Sequence, residues 1–100
     1  MRSLPVKVTA KIAKWIEQLE IYGPDLTRPY ADTVKDKIRE LRVIFSSQNY
    51  RLLYFFCGSK IIVTHGFVKK TAAIPEDEIR RAINYARDFE SRMLRREIIL

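Results

Sequence analysis

No acidic residue occurs between Glu40 and Glu76. That gap holds Arg42, Arg51, Lys60, Lys69 and Lys70, together with His65, the single histidine. Any chemistry confined to this segment proceeds without a carboxylate of its own. Cysteine is almost missing too: a lone Cys57 excludes an internal disulfide and a thiolate metal cage, and a reducing cytoplasm is the default compartment. No run approaches the ~20 consecutive apolar residues of a membrane span, and Met1-Arg2-Ser3-Leu4 is no signal peptide. One histidine, one cysteine and an acid-free basic segment leave no standard zinc constellation and no carboxylate cage for magnesium. Gly-rich phosphate loops, Ser-His-Asp orders and Cys-His pairs are likewise missing, so no metal or cofactor is expected.

What is present fits one domain over residues 1–100. The chain is 47 % hydrophobic, enough for a packed core and too much for a disordered polycation. Its net charge of +7 is unevenly placed: residues 1–70 hold 13 Lys+Arg against 6 acids, and the remaining thirty residues hold 6 of each. No internal repeat or linker divides it.

Residues Pro5 to Tyr22 read as a helix, with Ser3 as cap and Ile12, Trp15, Ile16, Leu19 and Tyr22 at helical spacing. Gly23-Pro24 ends it, and Asp25 to about Thr33 reads as a loop. From Ile38 the period changes to two. Ile38–Phe45, Tyr50–Cys57 and Lys60–Phe67 are rich in β-branched and aromatic residues, as strands should be. A four-residue turn, Ser46 to Asn49, and a two-residue turn, Gly58-Ser59, connect them. A last helix starts at Pro75, with Glu76, Asp77 and Glu78 at the positive end of its dipole and Ile79, Ile83, Ala86 and Met93 as its apolar stripe. The expected class is α+β: N-terminal helix, antiparallel meander of three or more strands, C-terminal helix.

Pairing Phe45 with Tyr50 sets Arg42 opposite Leu53 and Ile44 opposite Arg51; pairing Cys57 with Lys60 sets Leu52 opposite His65. Side-chain alternation then gives one apolar face, with His65 and Phe67 included, which both helices should cover. The other face carries Glu40, Arg42 and Arg51, the two arginines one diagonal apart. Two guanidiniums on one face suit a phosphate; pairing with Glu40, Asp88 or Glu90 is the structural alternative. Lys69 and Lys70 close the third strand, where lysines usually decorate a solvated edge, although Gly66 permits a bulge that would aim them inward. His65 titrates near neutrality, yet its place beside Leu52 favours a buried, hydrogen-bonded histidine. Tyr85 belongs to a polar stripe with Arg81, Asp88 and Arg92. Cys57 reads as inert packing.

Three motifs in order then carry a resemblance. Glu40-Leu41-Arg42, Tyr50-Arg51-Leu52-Leu53-Tyr54 and His65-Gly66-Phe67-Val68-Lys69-Lys70-Thr71 resemble the RelE/HigB toxins of type II toxin–antitoxin systems, nearest the phage-derived HigB-like branch of the RelE/ParE superfamily. The match runs from about Thr9 to Arg92. It implies a RelE-like fold and a metal-independent endoribonuclease: the ribose 2′-hydroxyl attacks the adjacent phosphate and the 5′-oxygen leaves. The substrate would be mRNA on the ribosome, and the partner a cognate antitoxin, expected to be a helix-turn-helix protein, in a toxin–antitoxin hetero-oligomer. By the same resemblance Arg51 is the leading phosphate ligand, Lys69 and Lys70 position substrate and stabilise charge, and Arg42 stands beside them. His65, Tyr85 and Arg87 are secondary substrate-binding candidates.

The chain departs from that pattern at Lys37-Ile38-Arg39 before the first motif and at Ala72-Ala73 after the last. Members usually begin with an extra strand ahead of the part matching Thr9. Its absence or shortening here makes Glu97-Ile98-Ile99-Leu100 a candidate replacement edge strand. Two alternatives belong to other classes: a noncatalytic gyrase inhibitor like the ParE toxins, and a basic nucleic-acid-binding module or inactive toxin homologue.

Overall fold

The computed structural model describes residues 4–99. Two helices flank an antiparallel meander. Helix α1 spans Val6–Tyr22 and is followed by a 3-10 turn, Gly23–Asp25; strands β1 (Ala31–Lys35), β2 (Ile38–Phe45), β3 (Gln48–Cys57) and β4 (Lys60–Val68) then lie side by side in chain order, and α2 spans Glu76–Leu94. Pro5 occupies the N-cap of α1, and the expected cap Ser3 lies outside the described residues. Gly23 ends α1 at φ 55°, in the left-handed region glycine reaches without a Cβ penalty, and its N–H returns to the Leu19 carbonyl. At the start of α2, Pro75 is the N-cap and three acids fill the first turn.

The meander has four strands. Residues 31–35 form β1, although the loop expected from Asp25 runs to about Thr33; Ala31 pairs with Leu41 and Asp32 with Glu40. Short and polar on its outer positions, this segment lacks the apolar alternation that marks the other three. Residues 97–99 form no strand; Ile98 instead packs beside α2 on the sheet.

The helices cover opposite faces of the sheet. Under α1 lie Leu41, Val43, Tyr50, Leu52 and Tyr54, packed with Val8, Ile12 and Leu19. Under α2 lie Ile38, Leu53 and Phe55, packed with Ala82, Ala86 and Phe89. This corrects the expectation that both helices share one face. The physical reason is in β3, where Leu52-Leu53-Tyr54-Phe55 is apolar on both sides, as strands sandwiched between two layers are.

Register differs from expectation at both later hairpins. Phe45 pairs with Gln48, so the β2–β3 connection is the two-residue turn Ser46-Ser47, with Ser46 at φ 58°. A slip of two residues keeps every side chain on its face but moves its partner: Arg42 stands opposite Arg51. Between β3 and β4, Cys57–Lys60 and Tyr54–Val63 pair as expected, and a bulge then intervenes. Thr64 is the extra residue, and its hydroxyl donates to the Leu53 carbonyl at 3.1 Å. Beyond it His65 pairs with Leu53 and Phe67 with Arg51, which transfers both aromatic rings to the α2 face. Among the described residues no helix is long and apolar enough to cross a membrane.

Candidate functional site

On the α2 face the apolar rows end in charge. Glu40 sits on β2 two residues before Arg42, and Arg51 lies across on β3. Glu40 Oε1 accepts from Arg42 Nε at 2.6 Å and lies 3.2 Å from Arg51 Nε. The second contact pairs charges without hydrogen-bond alignment, and Arg51 Nε is buried with no hydrogen-bond partner. Arg51 Nη1 donates to the Tyr50 carbonyl at 3.2 Å. Burial pulls the Arg51 guanidinium below its ordinary range, Glu40 pulls it back, and Arg42 adds to the lowering. Glu40 and Arg51 are the two buried charged residues among those described. Arg42 keeps 29 % of its side chain exposed, against 9 % for Arg51. The exposed guanidinium of the pair is therefore Arg42.

The charge chain continues to the sheet edge. Arg42 Nη2 lies 3.6 Å from Asp32 Oδ2 on β1, and Arg28 Nε donates to the same oxygen at 2.7 Å. The Arg28 hydrogen bond, with one from the Thr33 N–H, holds the Asp32 carboxyl below its usual range. Both carboxylates precede the acid-free segment, and cross-strand pairing brings them to its arginines. Glu40 is visible in the sequence as a local rival; Asp32 gives no signal there, because its short polar strand has the composition of a loop. Asp88 and Glu90, the other rivals, pair with Arg92 and Lys37 instead.

Lys69 follows β4, and its N–H donates to the Asn49 carbonyl at 2.7 Å. It thus continues the ladder at the same end of the sheet as Arg42 and Arg51, diagonal to Arg51 along β3. Lys69 is half-buried and Lys70 exposed. His65 lies one row deeper with 10 % of its side chain exposed, its Nδ1 3.1 Å from the Thr64 hydroxyl and its Nε2 3.6 Å from Glu78 Oε1. The ring thus has the expected hydrogen bond at Nδ1, while Nε2 is buried without one. The expected neighbour Leu52 is replaced by Leu53, because the bulge turns His65 over. Tyr85 and Arg87 lie exposed on α2, and Arg87 borders a separate cavity with Lys37 and Glu90. Among the described residues no three His, Cys, Asp or Glu side chains gather as a metal site would require.

Such an arrangement can bind a phosphate diester at its exposed cations, with a carboxylate immediately behind them. A helix, a four-strand antiparallel meander and a second helix make this an α+β protein of RelE-like fold. Residues 1–87 match the family described as "Phage derived protein Gp49-like (DUF891)", and the chain belongs to that family, a toxin-like one within the RelE/ParE-like superfamily. No curated protein matches it.

Proposed function

We propose that this chain is the toxin of a type II toxin–antitoxin pair, nearest the HigB-like branch, and that it cleaves mRNA on the ribosome as a metal-independent endoribonuclease. A cognate antitoxin is its partner. The observation that supports this reading most is the row in which Arg42 faces Arg51 with Glu40 between them, at the end of the sheet where Lys69 and Lys70 emerge. Arg42, Lys69 and Lys70 supply the cations that meet the scissile phosphate, and guanidinium and ammonium groups stabilise the charge of the pentacoordinate transition state. Arg51, buried behind Glu40, positions that carboxylate and through it the Arg42 guanidinium. The 2′-hydroxyl gives up its proton and attacks phosphorus, forming the new P–O bond; the bond to the 5′-oxygen breaks and that oxygen takes up a proton, leaving a cyclic phosphate and a 5′-hydroxyl.

Arg42→Ala is the decisive substitution, because Arg42 is partly exposed and its loss leaves Glu40 paired with Arg51. Expressed in a bacterial host, the native chain should arrest growth and generate new 5′-hydroxyl RNA ends within open reading frames. Arg42→Ala should lower that cleavage by about 10²–10³-fold with the fold intact. A strict magnesium requirement for cleavage, beyond what ribosome integrity needs, would overturn the metal-independent mechanism. DNA-damage signalling without RNA cleavage would instead identify a gyrase-directed inhibitor.

A further inference from the structure

Trp15 of α1 and Tyr30 of the segment before β1 stack with ring centroids 4.8 Å apart and planes 22° from parallel. The pair separates two cavities that both rings line. One, of 350 Å³, reaches Gln18, Asp25 and Arg28; the other, of 180 Å³, reaches Lys11 and Arg42. Tyr30 keeps 45 % of its surface exposed, although its backbone is locked: its N–H donates to the Thr27 carbonyl at 3.0 Å and its carbonyl accepts from the Arg42 N–H at 2.8 Å. A packing role for the stack accounts for the half-buried Trp15 but not for an exposed, rigidly mounted tyrosine with a cavity on either side. Cations surround the stack. Lys11 donates to the Ile44 carbonyl and makes no ion pair among the described residues; Arg28 pairs with Asp32, and Arg42 with both Asp32 and Glu40. A cation on each side of the stack, Lys11 and Arg42 at one cavity and Arg28 at the other, suits successive phosphates, and the flat aromatic surface between them suits the bases they carry.

We propose that the Trp15–Tyr30 stack is a base-stacking platform for single-stranded RNA. Arg42 and Lys11 hold the phosphate on one side of it, and Arg28 the phosphate on the other. Resting on the nuclease reading for its choice of RNA, this extends the substrate path from Arg42 around the β1–β2 edge toward α1. Stacking tolerates any base, so the platform adds affinity and register without sequence selectivity.

Trp15 is the only tryptophan, so its fluorescence reports on this site alone. The probe is a short 2′-O-methyl oligonucleotide, which cannot be cleaved, titrated into the full chain at fixed salt. The native chain should show saturable quenching. Tyr30→Ala should weaken binding roughly tenfold, Tyr30→Phe should bind as the native chain does, and an abasic ribose-phosphate oligomer should bind without comparable quenching. Circular dichroism shows whether Tyr30→Ala keeps the fold; should it not, the native, Tyr30→Phe and abasic arms still decide. Equal affinity in folded Tyr30→Ala, or equal quenching by the abasic oligomer, overturns the proposal. So does quenching by a bound antitoxin when RNA gives none. Cleavage of unmodified mRNA is scored separately. Cleavage without quenching sinks the platform alone, and quenching without cleavage sinks the nuclease reading alone.

Discussion

The sheet meets two different environments on its two faces. Toward α1, the buried strand side chains are Ala31, Leu41, Val43, Tyr50, Leu52 and Tyr54, with no buried charge among them. Toward α2, Ile38, Leu53 and Phe55 are sealed in the same way, but the next row holds Glu40 and Arg51, each over nine-tenths buried. Apolar contacts are non-directional, and a face made only of them accepts many local arrangements. The charged row does not. Two guanidiniums directly opposite repel, and only a carboxylate within reach of both makes the pairing of Arg42 with Arg51 tolerable. Stability is spread over one face, and chemical specificity is concentrated at one end of the other.

The apolar halves of the two faces should respond alike, and that is the largest effect. Phe55 is 1 % exposed and meets Phe89 edge-on with centroids 5.7 Å apart. Phe55→Ala should cost about 3–5 kcal/mol, and Leu41→Ala on the α1 face about 2–5 kcal/mol, both read by urea denaturation. A near-neutral Phe55→Ala would mean that α2 docks loosely and that only the α1 face is a core. The charged row should behave differently from either. Glu40→Gln leaves Arg51 buried without its counter-ion and should cost about 3 kcal/mol, while Glu40→Leu combined with Arg51→Met should recover most of that loss. Equal damage from the single and the paired replacement would show that the row contributes by packing, not by charge balance.

Much of this was legible in the sequence, for reasons that separate easily. Helix α1 announces itself through the spacing of Ile12, Trp15, Ile16 and Leu19, and β3 through its aromatic run. The Gly58-Ser59 turn was readable because glycine takes positive φ without strain, and Gly58 does so at φ 60°. Ser46 takes the same conformation with no glycine to mark it, and the β2–β3 register was therefore missed by two residues. The bulge at Thr64 escaped for a related reason: its stabilising hydrogen bond to Leu53 exists only once the strands have paired. In the candidate site, the closeness of Arg42 and Arg51 follows from alternation and an assumed hairpin pairing, and it survives because the actual register differs by an even number of residues. That the more exposed guanidinium is Arg42 does not follow, since burial depends on the missed register and on a strand, β1, whose polar residues resemble a loop.

His65 provides the smallest test of the contrast, because the chain's single histidine lies on the charged face. Burial pulls its pKa below the ordinary value; Glu78, 3.6 Å away, opposes that shift and Arg81 reinforces it. An unfolded histidine titrates near about 6.5. Below that pH the unfolded chain binds a proton that the folded chain resists, so stability rises with pH through the window beneath 6.5 and is level above it. The melting temperature should therefore hold steady from about pH 8 to pH 7 and fall as the pH drops from about 6.5 toward the depressed folded value. His65→Gln cannot titrate there and should remove that step, leaving only the carboxylate-driven loss at lower pH. A native chain that instead gains stability as the pH falls through 6.5 would show that the Glu78 charge outweighs burial. The α2 face would then hold a second ion pair rather than a neutral ring.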